Sequence, residues 1–172
     1  ASTEANDNES IIIDNSEHTK NVSLLGRTLY KDGDWNTLCL PFAVSDFAGT
    51  PLEGATVKEL LNTSDLSNDG ILTLNFSSNL SAIEAGKPYI VKWESGSDIE
   101  DPSFSNVTIS NIEPIAVTFG GKCQFVGTYS PFVINGANID EILMMSGNNR
   151  LGYSNTERTI GAFRAHFVIP LN

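Results

Sequence analysis

The chain has 172 residues, a length that suits one domain with a substantial core. Its formal charge of −11 repels phosphate backbones and anionic lipid, which argues against nucleic acid and membrane-surface partners. No stretch approaches the 18 or so consecutive apolar residues of a membrane helix, so membrane insertion is not expected. Only 18% of residues are charged, while Asn, Ser, Thr and Gly are abundant, as in many secreted β-proteins.

Residues 1 to 21 carry Asn, Asp, Glu and Ser around one apolar triplet, Ile11-Ile12-Ile13. They read as a mostly mobile polar leader in which the triplet pairs as an edge strand. No basic and apolar export signal begins the sequence, so a signal peptide is expected to have been removed before residue 1. From Val22 to Asn172 the composition changes to short runs rich in Val, Ile, Phe, Tyr and Thr, separated by Gly, Asn, Asp, Ser and Pro clusters. This is the pattern of an antiparallel all-β domain.

In chain order the strand-like runs are VSLLGRTLY, WNTLCLPFAV, ILTLNF, PYIVKW, NVTIS, AVTF, CQFVGTY, EILMMS, RLGYS and AFRAHFVI. About ten strands exceed one comfortable sheet, so the expectation is a two-sheet β-sandwich, jelly-roll-like or a partly closed barrel. Residues 55 to 63 offer the one helical alternative, because Val57, Leu60 and Leu61 share a helical face. In WNTLCLPF both alternating sets are largely apolar, which predicts a strand covered on both sides. In AFRAHFVI, Phe163, Ala165, Phe167 and Ile169 share one face opposite Arg164, His166 and Val168, which predicts a half-exposed strand.

The run KDGDWN places Asp32, Asp34 and Asn36 at alternate positions, as a calcium-binding EF-hand loop does. The sixth and twelfth loop positions, however, are Thr37 and Ala43 where Gly and a bidentate Glu are required. The alternative is a hairpin, with Asp-Gly supplying the positive φ angles of a tight turn between two strands. Cys39 and Cys123 lack zinc-site spacing and read as buried free thiols or as one bridge between neighbouring strands. No metal site and no cofactor site is predicted.

Nor does the sequence present a catalytic constellation. It has no Gly-x-Ser-x-Gly elbow, His18 lies in the leader, and neither Cys has a His beside it. Glu84, Glu94, Asp98, Glu100 and Asp101 supply carboxylates but no pattern for two facing across a cleft. The candidate binding residues are Trp35, Asn148, Asn149 and Tyr153. Trp35 either packs at a rim or is exposed, and Trp93 is read as a core residue ending its strand. Exposed aromatics offer flat apolar faces with polar edges, and loop-tip Asn residues can hydrogen-bond sugar hydroxyls or simply accommodate a turn. Arg27 and Arg164 lie in apolar strands and call for carboxylate or carbonyl partners, with Asp32 or Asp34 as candidates.

Taken together, GRTLYKDGDWNTLCLPF, IEAGKPYIVKW, FSNVTISN, CQFVGTYSP and IGAFRAHFVI resemble a domain recurring in exported surface proteins of gut and oral Bacteroidetes. That domain is often found beside leucine-rich repeats of adhesin-like proteins. The matching positions are Gly26, Arg27, Tyr30, Asp32, Gly33, Trp35, Asn36, Leu40, Pro41 and Phe42, then Ala85, Gly86, Pro88 and Tyr89. Phe125, Gly127, Gly161, Phe163, Arg164 and Phe167 complete them. His166 stands where the pattern has Tyr, and Leu151-Gly152-Tyr153-Ser154 replaces a more aromatic loop. The resemblance implies a non-catalytic extracellular or cell-surface module, a monomeric domain engaged in adhesion or in binding a host or dietary glycan or extracellular protein. A carbohydrate-binding accessory domain or carbohydrate-active enzyme, and a structural spacer, are the alternatives.

Overall fold

The computed structural model describes residues 2 to 171. The first half of the chain contains β1 (Ser2–Thr3), α1 (Glu9–Asp14), β2 (Thr19–Leu25), β3 (Thr28–Leu29), β4 (Asn36–Leu38), β5 (Thr56–Glu59), β6 (Asp65–Leu66) and β7 (Leu72–Thr73). It continues with β8 (Tyr89–Lys92), β9 (Ile99–Glu100), β10 (Ser103–Thr108), β11 (Ala116–Phe119) and β12 (Cys123–Thr128). The remainder is β13 (Phe132–Ile134), β14 (Ile142–Ser146), β15 (Arg150–Tyr153), β16 (Arg158–Ile160) and β17 (Arg164–Val168).

The protein is almost all β, with several antiparallel sheets in a sandwich-like arrangement and no closed barrel. The largest sheet has the order β11-β12-β17-β14-β15. Two three-stranded sheets, β4-β8-β5 and β1-β2-β10, carry most of the first half, and among the described residues only β1 and β2 pair in parallel. The ribbons β3-β9, β6-β7 and β13-β16 fill the edges.

Two large apolar cores and a smaller third cluster of Ile134, Ile142 and Ile160 lie among these sheets. The first gathers Leu24, Leu29, Leu38, Cys39, Leu40, Phe42, Val57, Trp93, Phe104 and Phe163. In the second, Phe125 stacks on Phe167 at 4.5 Å and Phe119 meets Phe167 edge-on at 6.4 Å. Residues 36 to 42 are buried throughout, the coverage their two apolar faces predict. Cys39 sits in the first core and Cys123 in the second, and both thiols are free.

The helix is not where the pattern of residues 55 to 63 puts it. Those residues hold β5, which pairs antiparallel with β8, buries Val57 and leaves Leu61 half-buried. An extended strand hydrogen-bonded to a neighbour outweighs a helical face of three residues. The helix is instead α1, formed by the triplet expected to be an edge strand. Glu9 suits its first turn, and Ile12 is buried in the first core. Asn8, fully buried, ties this segment to the large sheet by donating from Nδ2 to the Tyr129 carbonyl at 2.8 Å.

The Asp-Gly turn also differs from the expected hairpin. β3 pairs with β9 and β4 pairs with β8, so the strands flanking residues 30 to 35 are not partners. Asn36 closes the turn with its side chain. Its Oδ1 accepts from the Tyr30 N–H at 2.8 Å and its Nδ2 donates to the Tyr30 carbonyl at 2.9 Å, so one amide substitutes for a strand partner. Gly33 adopts φ +89 and donates its N–H to the Trp93 carbonyl at 3.1 Å.

His166 is buried rather than half-exposed. The β13-β16 ribbon folds over that face of β17, and the imidazole stacks on Phe132 at 4.3 Å with Nδ1 lacking a protein partner. Burial pushes its pKa down from about 6.5 to about 4. The unfolded chain therefore takes up this proton first as pH falls. The stabilisation is complete above pH 6.5 and is lost toward pH 4. Two and a half pH units, at about 1.4 kcal/mol each, amount to about 3–4 kcal/mol. His166→Phe keeps the stacking without the titration. Its urea-unfolding free energy is expected to fall less steeply than that of the parent between pH 6.5 and 4, and parallel slopes would show that the imidazole is not the source.

Phe163 departs from the alternation of β17. Its φ of +60 turns the side chain out of the face shared by Ala165, Phe167 and Ile169 and into the first core. The backbone is held there by Phe163 N–H donating to the Thr128 carbonyl at 2.7 Å, and by Cys39 N–H donating to the Phe163 carbonyl at 3.2 Å. A non-glycine residue with this φ needs such over-determination.

Candidate functional site

The kink at Phe163 places Arg164 where the first half of the chain meets the large sheet. Two clefts join there, sharing Thr37, Met145 and Arg164. One, of about 280 Å³, is lined by Tyr30, Asp32, Asp34, Trp35 and Ser146 among others. The second, of about 380 Å³, continues past Met144, Arg158, Thr159 and Gly161 to Glu4. Together they form a groove with aromatic rings, Asp32 and Asp34 at one end, Arg164 at the junction, and Arg158 and Glu4 toward the other end.

The first end depends on two turns distant in sequence. The 146–149 turn between β14 and β15 uses left-handed φ values of +60 at Asn148 and +55 at Asn149. The Asn148 N–H donates to Asp34 Oδ2 at 2.6 Å, and the Trp35 N–H donates to Asn149 Oδ1 at 2.7 Å. Asp32 Oδ1 accepts from the Asp34 N–H at 3.0 Å. The alternating acidic residues thus fasten turns together. Among the described residues no group of three or more His, Cys, Asp or Glu side chains is placed to hold a metal ion.

Of the predicted site residues, Trp35, Asn148 and Asn149 meet at this lip. Trp35 is half-buried: it lines the cleft and packs on the second core, with Lys92 Nζ 5.3 Å from the ring centroid. Tyr153 is 51% exposed on β15 opposite Leu143 and does not line the groove. Trp93 is buried and donates Nε1–H to the Glu53 carbonyl at 2.9 Å. Sequence reasoning left Tyr30 out of the predicted site residues and missed Arg158 and Glu4 as lining residues. Tyr30 is 48% exposed, and its position beside KDGDW was the available signal.

Neither arginine pairs with Asp32 or Asp34. Arg164 donates Nε–H to Glu4 Oε1 at 2.7 Å and contacts the same oxygen through Nη2. Glu4 lies against Gly161, where a Cβ would occupy the space of its side chain. Arg27 is fully buried beneath the groove. It donates Nη1–H to the Thr28 carbonyl at 2.9 Å and Nη2–H to the Thr37 carbonyl at 2.8 Å. Burial and, after it, the Arg164 charge push its pKa down to about 9, while Glu4 opposes them, so the group stays charged at neutral pH. Thr37 in turn accepts the Ala165 N–H on Oγ1 at 3.1 Å, which fixes the backbone that presents Arg164.

The arrangement defines an all-β domain with a polar, two-ended surface groove. No family of known proteins matches the chain, and neither does a curated protein or a solved structure. No helix among the described residues is long and apolar enough to cross a membrane.

Proposed function

We propose that this domain is a non-catalytic binding module of an exported bacterial protein. It works outside the cell as a monomeric unit that captures a host or dietary glycan in the groove around Arg164. The observation that carries this reading is the lip built from residues 30 to 36 and 146 to 149. There Tyr30 and Trp35 offer flat rings beside the polar side chains of Asp32, Asp34 and Ser146. Rings supply area at low entropic cost, and the carboxylates and hydroxyl can exchange hydrogen bonds with sugar hydroxyls. The motif resemblance to exported Bacteroidetes domains points the same way. The groove's dependence on turns distant in sequence also favours a site over an inert spacer.

Tyr30→Ala tests the reading, because the fold holds Tyr30 by its backbone to Asn36 and leaves its ring half-exposed. On an array of glycans and extracellular-matrix proteins, the parent is expected to bind a subset of glycans. The variant should lose about tenfold or more in affinity, with stability within about 0.5 kcal/mol of the parent. Glycan binding indifferent to Tyr30, or none at all, would remove the reading.

A further inference from the structure

The chain has four arginines, Arg27, Arg150, Arg158 and Arg164, and two of them, Arg158 and Arg164, line the second cleft of the groove while Arg27 is buried behind Thr37. Arg27 lies beneath Thr37, Arg164 reaches the floor from β17, and Arg158 stands exposed on the β16 lip. One carboxylate, Glu4, shares that cleft with them. The Arg158 side chain has no hydrogen-bond or ion-pair partner among the described residues. In a chain whose formal charge is −11, two guanidinium groups against one carboxylate make the lining of this cleft a local excess of positive charge.

Resting on the binding-module reading, we infer that this end of the groove recognises the carboxylate of an acidic sugar, held by Arg158 and Arg164 while the adjoining neutral sugar lies toward Tyr30 and Trp35. A guanidinium fork matches a carboxylate bidentately, and Arg158 has all five N–H donors free for it. Arg164 spends two nitrogens on a single Glu4 oxygen, and Thr37 and Thr159 add hydroxyls to the walls. The opposite end decides between a sugar acid and an acidic peptide. Asp32 and Asp34 line it, so a run of acidic residues would set further carboxylates against two of the protein's own, whereas hydroxyls of a neutral ring would donate to them. Glu4 is then a built-in competitor, occupying Arg164 until a ligand carboxylate shares or takes its place.

The test is an NMR titration of the protein with the disaccharide of glucuronate linked to glucose, its methyl ester, and tetraglutamate. The free acid is expected to bind, with affinity falling as salt rises, and the ester to bind about tenfold or more weakly. Arg158→Ala should cost about tenfold for the acid and nothing for the ester, with an unchanged melting temperature. Glu4→Gln, which keeps an oxygen for Arg164, should tighten acid binding several-fold. Equal binding of acid and ester, an Arg158→Ala variant that binds the acid normally, or tighter binding of tetraglutamate would overturn the inference. Equal acid and ester binding that still depends on Tyr30 leaves the module reading standing. Binding of none of the three overturns the acidic-sugar inference, and the glycan array then decides the module reading separately.

Discussion

Replacing Arg27 with alanine is expected to lower the unfolding free energy by about 3–5 kcal/mol, measured by urea denaturation at pH 7. Two losses combine. A long side chain leaves a fully buried site, and the Thr28 and Thr37 carbonyls lose their donors without gaining water. Arg27→Met separates them, because methionine restores most of the volume and removes the cost of burying a charge. That variant is expected to lose about half as much. Arg27→Lys should be no better than Met, since one ammonium cannot reproduce a planar fork that reaches two carbonyls. A stable Arg27→Lys protein would mean that charge, rather than the fork, is what the site requires.

Gly127→Ala is expected to cost about 3 kcal/mol, at the upper end of what overpacking typically costs, for a reason unrelated to backbone freedom. Gly127 lies in β12 opposite Ala165, with no left-handed φ. A Cβ there would stand 2.2 Å from Cys39 Sγ and 2.3 Å from Cys39 Cβ. Cys39 cannot retreat, because its N–H is bonded to the Phe163 carbonyl and its thiol donates to the Gly86 carbonyl at 3.3 Å. The missing side chain is therefore a slot that lets Cys39, from the first half of the chain, pack against the large sheet. Cys39→Gly in the Gly127→Ala background should recover part of the loss, a coupling that a double-mutant cycle by urea denaturation measures directly. Additive costs would show that the two positions do not contend for the same space.

Class and strand content were legible because alternation is a local property. Residues 36 to 42, 89 to 93 and 164 to 169 declare their buried faces by residue type alone. What stayed hidden was set by contacts across the chain. Residues 55 to 63 carry a helical face and are pulled into a strand by β8, while the Ile triplet, three β-branched residues, is held in a helix anchored through Asn8. His166 reads as exposed until the β13-β16 ribbon is known to cover it. The kink at Phe163 has no signature in the run AFRAHFVI, since phenylalanine does not advertise a positive φ. In the groove, Trp35 and the Asn148-Asn149 turn could be named from residue chemistry, yet Glu4 could not be paired with Arg164 across 160 positions of sequence.

Each of the two larger apolar cores contains a single thiol, Cys39 in one and Cys123 in the other, and burial pushes the Cys39 thiol up to about 12. Both sulfurs are fully buried, so neither is a usable nucleophile while its core is closed. The pair also gives the molecule two internal clocks. The rate at which an alkylating reagent reaches each sulfur reports how often that particular core opens, and whether the two halves of the sandwich breathe together or apart.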